Sequence, residues 1–138
     1  MQKFSPVASQ NYIDGSWQKA STTFESLNPA NKRDVVGTVP RGTEADVDAA
    51  VGAAKAAYES WRELSWVNRA EVVDRFAQLL KRDLDDLGQT VTRECGKPLN
   101  EGMADVVEAL HMAQYVAGLG RMPNGFTVSS EVPQPPLT

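Results

Sequence analysis

Cys95, within Glu94-Cys95-Gly96-Lys97-Pro98-Leu99, is the one cysteine of the chain, and His111 is its one histidine. These are the natural first candidates for covalent or proton-transfer chemistry. A thiol attacks as its thiolate, which is favoured at a helix N-terminus or beside a base. Cys95 has the reverse setting. It closes a helical pattern, where the dipole disfavours a thiolate, and Glu94 adjoins it. Lys97 is the nearby cation, yet the residue reads as structural. A lone His111, beside the apolar stripe of a later helix, supports neither a His-rich metal site nor a His-based relay, and reads as structural too. The carboxylates fall mostly on solvated helix faces, and no pair is isolated in an apolar setting for acid–base work. Gly118-Leu119-Gly120 follows a helix and precedes none, so it lacks the strand–turn–helix context of a phosphate-binding loop. Trp17, Trp61 and Trp66 lack the clustered basic residues of a base-stacking platform and read as packing anchors. Taken residue by residue, the chain is a soluble α+β module without an active site.

The bulk numbers agree. The chain has 138 residues, suited to one domain, with 41% hydrophobic and 23% charged residues. A net charge of −4 with interspersed signs argues against nucleic-acid and anionic-membrane partners. One cysteine makes no internal disulfide, residues 1–20 lack a signal-peptide pattern, and no run approaches the roughly 18 apolar residues of a membrane span. A cytoplasmic protein is the expectation.

The elements that hold these residues follow in order. Residues 1–11 lack a period and are expected to be a disordered tail. Tyr12-Ile13-Asp14-Gly15-Ser16-Trp17 predicts a hairpin, since Asp-Gly suits the positive φ angles of a type I′ turn. Phe24 to Leu27 forms a further short strand, Asn28-Pro29-Ala30-Asn31 a turn, and Val35 to Val39 a strand closed by Pro40. Thr43-Glu44-Ala45-Asp46 resembles a capping box. Val47, Ala50, Val51, Ala54, Tyr58 and Trp61 then mark a first helix. A second opens at Ser65, or alternatively Asn68. It carries Val73, Phe76, Ala77, Leu80, Leu84, Leu87 and Val91 at steps of mostly three and four, and stops at Gly96. A third is capped by Asn100, buries Met103, Val106, Val107, Leu110, Ala113 and Ala117, and ends at Gly118 and Gly120. Phe126-Thr127-Val128 reads as extended and Val132 to Pro136 as polyproline-like.

Several of these motifs together resemble the opening of the NAD(P)-dependent aldehyde dehydrogenases. They are Tyr12 to Trp17, Leu27-Asn28-Pro29-Ala30, Val36-Gly37-Thr38-Val39-Pro40, Asp46 to Val51, Ala53 to Tyr58, Trp61, Arg69, Glu94 to Leu99 and Tyr115-Val116-Ala117-Gly118. Where members commonly show Glu-Thr-Gly-Lys-Pro, this chain has Cys95 for the threonine. The resemblance covers about Tyr12 to Glu131. It implies an α+β fragment, N-terminal β-hairpins followed by three amphipathic helices, forming part of a Rossmann-like α/β cofactor domain. Residues 12–121 would be the N-terminal part of that domain, and residues 122–138 a truncated exit arm toward the oligomerisation region.

Intact members are several times longer. In them a cysteine attacks the aldehyde, hydride passes to NAD or NADP, and a glutamate activates the water that releases the acid. The motifs for those steps lie beyond the equivalent of Thr138. The resemblance therefore implies no catalytic and no cofactor-binding residue here, and no turnover or cofactor for this chain alone. It implies one metal position, a structural monovalent cation held by the carbonyls of Ser26 and Leu27 and by Asp105. The implied partner is the remainder of an aldehyde dehydrogenase chain. A stand-alone interaction module, self-associating through stripe residues such as Val73, Leu80 and Leu87, is the alternative, as is one subunit of a split enzyme.

Overall fold

A computed structural model describes residues 7–123, 125 and 126. Its order is five short strands and then four helices. Strands β2 (Asn11–Ile13) and β3 (Ser16–Gln18) pair as an antiparallel hairpin. Asp14 and Gly15 turn it with φ of 50° and 72°, the two positive angles that Asp-Gly supplies at low cost. Tyr12 and Trp17 stand opposite one another, ring centroids 4.8 Å apart. A separate sheet has the order β1-β5-β4, from β1 (Val7–Ala8), β4 (Thr23–Leu27) and β5 (Val35–Pro40). β4 and β5 are antiparallel, with a bulge between Ser26 and Leu27, and β1 runs parallel to β5. Residues 7 and 8, inside the stretch read as a tail, are thus a paired strand, and Ser9 donates to the Thr38 carbonyl. The remaining tail, residues 1–6, and most of the exit arm, with its polyproline-like segment, lie outside the described residues.

Helix α1 (Glu44–Glu63) opens with the expected capping box: the Thr43 hydroxyl accepts from the Asp46 N–H, and the Asp46 carboxylate accepts from Thr43 N–H at 2.7 Å. The single long second helix of the sequence reading is instead two, α2 (Trp66–Arg82) and α3 (Leu84–Cys95), meeting at Asp83. The charges on either side fit the break without announcing it. Lys81 and Arg82 suit a helix C-terminus, and Asp85 and Asp86 suit a helix N-terminus. A two-pronged Arg82–Asp83 pair pins the joint. The apolar stripe runs through the break unaltered because both halves pack on one partner, α4 (Leu99–Leu119). Helix α4 starts at Leu99 with Pro98 as its cap residue, so Asn100 is inside the first turn rather than capping it. The Pro98 carbonyl already accepts the Glu101 and Gly102 N–H groups, and proline's fixed φ favours that entry.

The helical core is small: Ala77, Leu110 and Ala113, with Val73, Leu80 and Leu84 against them. Small residues bring the helices close. A side chain at Gly102 would strike the Thr92 hydroxyl and the Gly88 carbonyl, and one at Gly120 would strike Ala70 and the Trp66 carbonyl. Val73, Leu80 and Leu87, expected to be bare, are half-buried under α4. The uncovered apolar surface is elsewhere. α1 has no buried residue, and Val47, Val51, Tyr58 and Trp61 are all exposed along it. Among the described residues no helix is long and apolar enough to cross a membrane.

Candidate functional site

The Asn-Pro-Ala turn and the Glu-Cys-Gly-Lys-Pro corner singled out by sequence meet where α3 ends against the β4–β5 loop. Residues 28–34 turn through side chains that mimic backbone: the Asn28 Oδ1 accepts the Ala30 N–H at 2.9 Å, and the Asn31 Oδ1 accepts the Arg33 N–H at 3.3 Å. Backbone bonds from Asn31 N–H to the Asn28 carbonyl and from Asp34 N–H to the Asn31 carbonyl tighten the loop. Gly96 is the residue that meets it. Its φ is +66°, which closes α3 in the left-handed conformation. A Cβ there would stand 3.0 Å from the Ala30 nitrogen and 3.2 Å from the Pro29 Cβ. Two observations thus demand glycine, and the second ties the Asn-Pro-Ala turn to the Glu-Cys-Gly-Lys-Pro corner.

An ion pair reinforces the same joint. Arg93 donates from Nη2 to Asp34 Oδ1 at 2.6 Å and from Nε to Asp34 Oδ2 at 3.0 Å, a forked pairing, and adds a bond to the Val35 carbonyl. The side chains are 14% and 29% exposed, so the pair is shielded on most sides. Asn28 Nδ2 also donates to Asp34. The Arg93 bond first, then the Asn28 bond, pulls the Asp34 carboxyl down to a pKa of about 2. Arg93 was not singled out by the sequence reading. Its signal was faint: one arginine in the last turn of a helix whose neighbouring loop holds an aspartate.

Cys95 is exposed at the C-terminus of α3, and His111 is exposed on α4. Among the described residues no three His, Cys, Asp or Glu side chains gather as a metal site. Two of the three positions implied for a cation have side chains bonded to neighbouring residues. The Asp105 carboxylate takes an ion pair from Lys97, whose ammonium pKa is raised chiefly by that bond, and the Ser26 hydroxyl donates to Glu94 Oε1 at 2.8 Å. Leu27 sits at the β4 bulge. As arranged, the Lys97 ammonium is the cation that faces the Asp105 carboxylate. The arrangement fastens a loop, a helix end and a helix start together.

Comparison with known proteins gives this geometry its context. A sequence model described as the aldehyde dehydrogenase family matches residues 17–135. A malonate-semialdehyde dehydrogenase of Lacticaseibacillus casei is 39% identical over 123 residues, which are 88% of this chain and 25% of that protein. A pea protein, aldehyde dehydrogenase family 7 member A1, is 34% identical over 124 residues, covering 90% and 24%. Among solved structures, betaine aldehyde dehydrogenase from Staphylococcus aureus, in complex with NAD+, superposes with a TM-score of 0.81 at 32% identity, covering 90% of this chain and 25% of that one. Succinate-semialdehyde dehydrogenase from Burkholderia pseudomallei gives 0.81 at 34% identity, covering 90% and 26%. The chain spans about a quarter of the length of the relatives it matches.

Proposed function

Because the chain belongs to the aldehyde dehydrogenase family, we propose that it serves as the N-terminal segment of an NAD(P)-dependent enzyme oxidising an aldehyde to a carboxylic acid, and that it turns nothing over alone. Its part is to brace. The interlocked corner around Gly96 and Arg93 holds the front strands to the helices, and the helices offer apolar surface to the remaining polypeptide. The observation that carries this reading is the superposition on whole family enzymes across nine-tenths of the chain, with the Asn-Pro-Ala and Gly-Lys-Pro motifs in contact. The NAD+ complex of the Staphylococcus aureus relative favours NAD as the cofactor of the whole enzyme. A cytoplasmic setting belongs to the same reading.

The test is aldehyde-dependent reduction of NAD and NADP by the purified chain, with calorimetric titration of each cofactor. Neither reduction nor binding is expected. Turnover abolished by Cys95→Ser would overturn the reading and make that thiol the nucleophile. The monovalent cation at Ser26, Leu27 and Asp105 enters only in a restricted form, in which the ion replaces the Lys97 ammonium. Melting of the chain is then indifferent to sodium and potassium, while Lys97→Ala melts higher in one of them. Equal melting of that variant in both ions and in a bulky organic cation removes the site from the account.

A second reading rests on α1, a 20-residue helix without a buried residue. Such a surface favours self-association. Sedimentation of the chain at high concentration decides it: a clean monomer counts against an independent self-associating module.

A further inference from the structure

The tip of α1 and the start of α2 face the last turns of α4 across a groove. Trp61, Trp66, Arg69, Val73, Val116 and Leu119 line it around a cavity of about 270 Å³. Apart from Arg69 these side chains are apolar or aromatic. Trp66 is 59% exposed and Trp61 42%, so two large rings are left bare at one place. Aromatic rings clustered in this way are the usual anchors of an interface.

Arg69 makes the groove specific. It is half-buried, and its guanidinium carbon lies 4.9 Å from the Trp66 ring centroid. Among the described residues its one side-chain hydrogen bond reaches the Arg62 carbonyl at 3.5 Å, the outer limit of such a bond. Among the described residues no carboxylate pairs with it. The other half-buried arginine, Arg93, has a forked carboxylate. A planar guanidinium fixed on an aromatic face is preorganised for the same kind of partner.

We propose that this groove seats an apolar segment carrying a carboxylate, supplied by the part of the family polypeptide that follows the matched quarter. The inference rests on the family reading above and names the surface that reading requires. Two observations select this occupant. The solved relatives hold about four times the matched length, so the family fold has ample polypeptide to cover the groove. A second copy is disfavoured by charge, because the groove lining holds no carboxylate and a two-fold contact through it would bring one Arg69 toward another.

The test co-expresses the full chain with a tagged polypeptide comprising the remaining three quarters of the Lacticaseibacillus casei relative, and measures the chain recovered on the tag. Wild type and Arg75→Glu, which changes an exposed residue outside the groove, are expected to be retained. Arg69→Glu and Val116→Asp, each checked for unchanged helicity by circular dichroism, are expected to be recovered about tenfold less. Retention of both groove variants at the wild-type level overturns the groove and leaves the family reading standing. No recovery of wild type overturns both. A chain dimer dissolved by Arg69→Glu would assign the groove to a second copy. Recovery that rises when residues 127–138 are deleted would assign it to the chain's own end. Either result also overturns the proposal.

Discussion

Gly96 is the residue on which the corner turns. It needs a left-handed φ, and a side chain would press on Pro29 and Ala30. Gly96→Ala is expected to cost about 2 kcal/mol in urea unfolding, the backbone and steric penalties adding. Gly118→Ala, where a Cβ meets open space inside α4, is expected to be neutral or slightly stabilising. The Asp34–Arg93 pair makes a pH prediction. Asp34 is depressed to about 2 in the folded chain from an ordinary value of 3.8. A depressed carboxyl gives stability that is complete above the unfolded value and drains away as pH falls through the folded one. The chain should therefore lose stability between about pH 4 and pH 2, and Arg93→Met should flatten that part of the profile. A profile in that range identical to wild type would remove the pair from the account. Sequence made Gly96 legible, since glycine before proline after an apolar helical stripe is a stop signal. It left Arg93 hidden, because its partner is distant in sequence and only the fold brings them together.

At the scale of elements, three of the boundaries read from sequence stand on local chemistry: the Asp14-Gly15 turn, the Thr43 capping box and the Ser65 cap all involve near neighbours. The errors lie where tertiary contact decides. α2 and α3 share one apolar stripe yet break at Asp83, because bending there lets both halves lie along α4. β1 pairs with β5 through a contact that two residues of sequence cannot announce. The α3–α4 approach depends on Gly88 and Gly102, which allow backbone and methionine to close in. Gly102→Val should thus cost about 3 kcal/mol or more and broaden unfolding, measured by helicity against temperature, whereas Gly52→Val, at an open position on α1, should be neutral or slightly stabilising, because valine is a better helix former than glycine. Similar losses at the two positions would mean that α3 and α4 do not pack as described.

For the whole molecule, a small core goes with bare apolar faces on α1 and at the groove, which is what the proposed bracing role expects. Fold class and family were legible because each local motif is tied to a turn, a cap or a helix stop. What covers α1 was not, since periodicity shows that a face is apolar and not what lies on it. The most direct measurement replaces the matching N-terminal quarter of the Staphylococcus aureus betaine aldehyde dehydrogenase with this chain and follows NAD reduction by betaine aldehyde. An active hybrid, beside an inactive chain on its own, is the predicted result. A folded, soluble hybrid with no activity, or reduction by the chain alone, would contradict the account.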